Sequence, residues 1–94
     1  MLHNTKIDIA KVTREKLITI LSQGLADASD LKSQAKQAHW NVKGPNFIAL
    51  HELFDRVATD LDPIVDDIAE RITTLGGTAL GTVRVAARSS SLAE

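Results

Sequence analysis

Two long runs of apolar residues at 3–4 spacing, divided by Val42-Lys43-Gly44-Pro45-Asn46, limit what this chain can become. The first run places Leu17, Leu21, Leu25, Ala28, Leu31, Ala35 and Ala38 on one face, which predicts an amphipathic helix over about 10–41. Gly24 inside it costs about 1 kcal/mol relative to alanine without ending it. The second run places Phe47, Leu50, Phe54, Val57, Leu61, Ile64, Ile68, Ile72 and Leu75 in one stripe, which predicts a helix over about 47–75. Gly44 and Pro45 stop the first helix, and Asn46 is placed to cap the second. Gly76-Gly77 closes it. Pro63 predicts a kink, with a break after an Asp62 cap as the alternative. The expected unit is an all-α antiparallel hairpin.

The remaining segment is less legible. Val83 and Val85 alternate as in a strand, over too short a run to assign one. Ser91-Leu92-Ala93-Glu94 has the spacing of a capping box, which opens a helix. A hairpin holds half the elements of a four-helix core, so the rest is expected from a longer chain or from a second polypeptide.

Composition narrows the function classes. The 94 residues carry a net charge of −1, which offers no bulk basic field for nucleic acid. There is no cysteine, hence no disulfide scaffold, thiolate metal site or thiol catalysis. No signal-peptide core and no membrane-length apolar stretch is present, so a cytoplasmic protein is expected.

Chemistry concentrates on the second helix. His51 with Asp55, and Asp66 with Glu70, are each one turn apart. At about 100° per residue the four fall within roughly 100° of one another, on a stripe beside the apolar face. Asp55 and Asp66 are nevertheless about 16 Å apart along the axis, so one ion cannot bridge the pairs. A two-fold dimer removes the difficulty. If the same helix of a second copy lies antiparallel, with the axis near Asp60 and Leu61, His51 and Asp55 of one copy meet Asp66 and Glu70 of the other. A second, equivalent site then lies about 22 Å away. The hairpin also returns His39 to the neighbourhood of His51.

Two imidazoles and three carboxylates suit Fe(II), Mn(II) or Zn(II), and sequence does not rank them. Taken singly, Asp55, Asp66 and Glu70 read better as a solvated helix face, and His39 or His51 as a surface or capping residue; only together do they weigh evenly as a ligand set. Asp67 with Arg71, and Glu52 with Arg56, read as surface ion pairs. Trp40, the sole tryptophan, reads as packed near the helix end.

Residues 38–55, AHWNVKGPNFIALHELFD, followed by 66–82, DDIAERITTLGGTALGT, resemble the Dps family of mini-ferritins. The resemblance spans roughly 14–82 and rests on His39, His51, Asp55, Asp66 and Glu70 at the family's spacing, with Trp40, Gly44 and Phe47 in place. It implies a single ferritin-like domain over 1–94, a four-helix bundle lacking its C-terminal half, and two-fold dimers building a hollow dodecamer. It implies a ferroxidase and iron-storage protein that oxidises Fe(II), preferably with hydrogen peroxide, at inter-subunit sites and so limits oxidative damage. His39 and His51 would bind iron through imidazole nitrogen, Asp55 and Glu70 directly, and Asp66 directly or through water. Zn2+ or Mn2+ could take the same place. A role for Trp40 in quenching radicals is also implied. Some family members condense DNA through lysine-rich tails, which would add nucleoid association. Here Lys6 and Lys11 against Asp8 make that signal poor. A non-catalytic helical fragment is the third reading.

Overall fold

The computed structural model describes residues 2–94. Three helices form: α1 Lys11–Asn41, α2 Phe47–Thr74 and α3 Val83–Ser89, with no strand among the described residues. α1 and α2 lie antiparallel in a slender body of 54 × 22 × 17 Å. Gly44 makes the turn between them at φ 104, a conformation a side chain would resist. None of the three helices is long and apolar enough to cross a membrane.

The register of the hairpin follows from its closest pairs. Gly24 faces Ile68, Lys32 faces Asp62, Lys36 faces Asp55 and His39 faces His51. Gly24 is where the two helices pack side chain against backbone: a Cβ added there would sit 3.9 Å from Ile68 Cδ1. The core is small, comprising Leu25, Ala26, Ala35, Ala58, Ile72, Leu75 and Ala86. Much of the apolar stripe stays in solvent. Leu31, Phe47 and Ile64 are 43%, 38% and 47% exposed.

Several local expectations change in the structure. α2 runs unbroken through Pro63, so the break at Asp62 is not realised. Asn46 makes no side-chain cap; its carbonyl accepts from Leu50 instead, while Phe47 N–H turns back to Gly44. The Val83–Val85 alternation is helical, because Thr82 Oγ1 accepts from Val85 N–H at 3.3 Å and caps α3. Ser91 opens no helix among the described residues, since its N–H and hydroxyl both donate to Asp27, at 2.7 and 2.8 Å. Those bonds, the backbone N–H first, hold the Asp27 carboxyl below its ordinary range.

His3 and Thr5 tie the segment before α1 to the end of α2. His3 N–H donates to the Gly76 carbonyl at 2.5 Å, and Thr5 Oγ1 to the Thr74 carbonyl at 2.7 Å. Arg14 Nη1 donates to the Leu75 carbonyl at 3.0 Å. The arm and Arg14 thus satisfy carbonyls that the end of α2 leaves free, and the guanidinium meets the negative end of that helix. Gly76, at φ 93, permits this close approach; a Cβ there would run into the His3 carbonyl.

Candidate metal centre

The loop end of the hairpin brings two histidines into face-to-face contact. The His39 and His51 rings stack with centroids 3.8 Å apart and planes 21° from parallel. Phe47, one turn before His51, stacks on its other side at 4.9 Å. Each imidazole is also tied to the other helix. His39 Nδ1 donates to the His51 carbonyl at 2.5 Å, and His51 Nδ1 donates to the His39 carbonyl at 2.7 Å. A carbonyl oxygen only accepts, so each Nδ1 carries the proton and each Nε2 of the neutral ring keeps its lone pair. This is the arrangement in which a backbone carbonyl fixes the tautomer of a metal-binding histidine.

Asp55 stands one turn beyond His51, on the same edge, and is half-buried. Lys36 Nζ reaches its Oδ1 at 2.7 Å. That hydrogen bond is the largest reason the Asp55 carboxyl lies below its ordinary range; partial desolvation opposes it, and the charge of Lys36 adds to it. Lys32 makes the second ion pair, with Asp62. Among the described residues these are the two ion pairs present, so the pairings Asp67–Arg71 and Glu52–Arg56 read from the sequence do not form.

Asp66 and Glu70 are exposed further along α2. Neither carboxylate accepts a hydrogen bond or an ion pair among the described residues. Within one chain they stay apart from the histidines, and no three His, Asp or Glu side chains gather closely enough to hold a metal ion among the described residues. The structure therefore joins His39 to His51, places Asp55 beside them, and leaves Asp66 and Glu70 distant.

Two features were missed in the sequence. Lys36 precedes His39 by one helical turn, which puts it on the same edge, and the antiparallel register would have delivered it to Asp55. Trp40 was expected to be packed; it is 68% exposed near the end of α1.

The donor set fits a hard or borderline cation. Imidazole nitrogen and carboxylate oxygen, with no sulfur, are the donor types such a cation takes, although His39, His51 and Asp55 do not by themselves gather closely enough within one chain to hold one. Asp55 has an ammonium on one oxygen, so a cation there must compete with Lys36 for this ligand.

Comparison with known proteins adds independent findings. Residues 18–92 match the family described as ferritin-like domain. The DNA protection during starvation protein of Agrobacterium fabrum is 48% identical over 90 residues, covering 96% of this chain and 56% of that protein. The DNA protection during starvation protein 2 of Bacillus anthracis is 38% identical over 80 residues, covering 85% and 55%. Among solved structures, DpsC from Streptomyces coelicolor superposes on all of this chain and 55% of its own, with a TM-score of 0.95 at 31% identity. A Vibrio cholerae O1 DPS protein, described as belonging to a broad superfamily of ferritin-like diiron-carboxylate proteins, gives 0.90 at 29% identity over 100% of this chain and 58% of that one. The chain thus spans about half the length of the relatives it matches.

Proposed function

From the premise that the chain belongs to the ferritin-like family, in its Dps branch, we propose that it supplies both halves of an inter-subunit ferroxidase site. The substrate is Fe(II). Two ferrous ions each give one electron to hydrogen peroxide, whose O–O bond breaks; with two protons it leaves as two waters, and the ferric product is stored as mineral. His39, His51 and Asp55 of one copy receive the ion. Asp66 and Glu70 of a second copy close the set, with Glu70 binding directly and Asp66 directly or through water. In the full assembly, a dodecameric cage in the cytoplasm, the stored mineral is enclosed.

The observation that carries this reading is the reciprocal lock of the two histidines. Their Nδ1 protons are committed to backbone carbonyls, which leaves the two Nε2 lone pairs free for a cation. A merely solvated histidine pair has no need of such an arrangement. Carboxylate ligands favour Fe(III) over Fe(II), so completing the set with two more acids makes oxidation of the bound ion easier. Lys36 has a definite part: it neutralises Asp55 while the ion is absent, which limits repulsion on an edge rich in acids.

Iron rather than DNA is the proposed primary ligand. The amino-terminal arm, the segment that could present Lys6 and Lys11 to phosphates, is hydrogen-bonded to the end of α2. A gel-shift titration at low and high salt checks this. No retardation of DNA at low salt is expected, and strong salt-sensitive retardation would reverse the order of the two readings.

The direct test adds Fe(II) and peroxide and follows ferric absorbance in the wild type and in His51→Ala. The expected result is rapid oxidation by the wild type, reduced at least about tenfold in the variant. Equal rates in the two proteins contradict the assignment.

A further inference from the structure

The segment after α3 lies against α1 through two matched sets of polar contacts that the proposed chemistry does not use. Gln23, Asp27, Asp30 and Gln34 fall on one stripe of α1. In the first set, Gln23 Nε2 donates to Asp27 Oδ1 at 3.0 Å and to the Ser89 carbonyl at 2.8 Å. Asp27 also receives the N–H and the hydroxyl of Ser91. In the second set, Gln34 Nε2 donates to Asp30 Oδ1 at 3.2 Å and to the Ala93 carbonyl at 3.1 Å. Asp30 Oδ2 receives the Ser90 hydroxyl at 2.6 Å, and Ser90 Oγ accepts from the Leu92 N–H at 3.1 Å. The Ser90 hydroxyl lies 3.4 Å from Asp27 Oδ1 as well, but its one proton serves the shorter bond. Each glutamine stands one turn from its aspartate and divides its two amide hydrogens between that carboxylate and a carbonyl of the segment. Residues 89–94 include no buried side chain, so these bonds, rather than apolar burial, set the path of the segment.

We propose that residues 89–93 form a strap that is released from α1 when Asp27 loses its charge, while the α1–α2 hairpin stays folded. Asp27 is the hub of the first set. As a carboxylate it accepts from an amide, a backbone N–H and a hydroxyl, and a charged acceptor makes each of these bonds stronger. The amide and the backbone N–H only donate, so a protonated Asp27 finds one acceptor for its new proton, the Ser91 hydroxyl, and its other bonds weaken. The same bonds hold the carboxyl below its ordinary range. They therefore stabilise the strap above that range and lose their hold as pH falls through the folded value. Asp30 shares the stripe, Arg84 and Arg88 stand on α3, and Glu94 follows the strap. None of them, and no charged group of α2, forms an ion pair with Asp27 among the described residues. Release is local because the strap's side-chain bonds involve no residue of α2, whereas the hairpin core rests on Leu25, Ala58, Ile72 and Leu75.

Amide hydrogen exchange of the whole chain, corrected for intrinsic rates, tests the strap. The amides of Ser91 and Leu92 read the two sets separately, and those of Leu25 and Ile72 read the hairpin. At pH 7, Asp27→Asn keeps the size of the side chain and removes its charge; Ser91 is expected to exchange at least about tenfold faster, with Leu92 changed less and Leu25 and Ile72 unchanged. Asp30→Asn should reverse the order, loosening Leu92 more than Ser91. In the wild type the loosening of Ser91 should appear below about pH 4, and in Asp27→Asn its exchange should no longer follow pH there. Ser91→Ala removes one of the two Ser91 bonds at an exposed position and cannot disturb the core; its amide should exchange about threefold faster or more, which keeps the test open if Asp27→Asn does not fold. Full protection of Ser91 in Asp27→Asn, or of residue 91 in Ser91→Ala, overturns the proposal. So does loss of protection at Leu25 and Ile72 in step with Ser91, which would make the opening global. Acid loosening that persists in Asp27→Asn would remove Asp27 as the switch.

Discussion

The two ends of α2 carry different kinds of candidate ligand and treat them in opposite ways. At the amino-terminal end, His51 is stacked between His39 and Phe47 and hydrogen-bonded to α1, and Asp55 is paired with Lys36. Toward the carboxyl-terminal end, Asp66 and Glu70 stand in solvent without a side-chain partner among the described residues. One half is organised before any ion arrives; the other is held only by the helix that carries it. The difference has a physical source. Imidazole tautomers must be set by a second hydrogen bond, so histidine ligands need a neighbouring helix. Carboxylates accept in any protonation state that matters near neutral pH, so they need none.

The sharpest consequence concerns single substitutions. His51→Ala removes a ligand, unstacks two rings and leaves the His39 carbonyl without its donor. It should reduce ferrous oxidation at least about tenfold and also lower thermal stability, by about 1–3 kcal/mol. Glu70→Ala should reduce oxidation comparably while leaving the melting temperature within about 1–2 °C of the wild type, because the side chain is exposed. If the two variants lose stability equally by calorimetry, the contrast between the ends of α2 is wrong.

A smaller effect is expected where the arm meets the far end of α2. Gly76→Ala puts a side chain at φ 93 against the His3 carbonyl, which should cost about 1–2 kcal/mol and release the arm. Faster hydrogen exchange at the His3 amide, with the His39–His51 end unaffected, is the expected signature. Unchanged exchange at His3 would show that the arm is held in some other way.

Acid should loosen the contact of α1 with the segment after α3. Asp27 is lowered from its ordinary value of 3.8, chiefly by the Ser91 N–H. A depressed carboxyl contributes stability above its unfolded pKa and loses it as pH falls through the folded one. Below about pH 4, then, the Ser91 amide should exchange faster, and Asp27→Ala should show that behaviour already at pH 7. Protection of Ser91 that is independent of pH down to the lowest folded pH contradicts this.

The smallest shift is at Asp55. Lys36→Met removes the donor that depresses it, so its carboxyl should titrate higher, toward the ordinary aspartate range. Carbon-detected NMR titration of the carboxyl reads this directly, and an unmoved titration would remove Lys36 as the cause.

Much of this was legible in the sequence, for reasons that differ by residue. The helix ends came from the apolar period and from Gly44-Pro45 and Gly76-Gly77, which are local signals. The meeting of His39 with His51 followed from a short loop closing an antiparallel pair. Trp40 did not follow, because its exposure depends on which side of α1 faces α2, and several small alanines make that face ambiguous. Lys36 was passed over as an ordinary surface cation; only the register shows that Asp55 lies opposite. Ser91 obeyed a long-range acceptor, Asp27, over its local capping pattern. The reach from Asp55 to Glu70 was legible as a failure, since helical rise alone forbids one ion from spanning it.

The claim on which the rest depends is that each site draws on two copies. Mixing His51→Ala with Glu70→Ala chains in equal amounts, unfolding and refolding them together, and measuring peroxide-dependent ferrous oxidation tests it. Half of the random dimers are mixed, and each mixed dimer holds one site with both wild-type halves, so activity should return to about a quarter of the wild-type rate. Activity that stays at the level of the separate variants, in a mixture shown by mass to contain mixed dimers, would mean that each site is built within one chain.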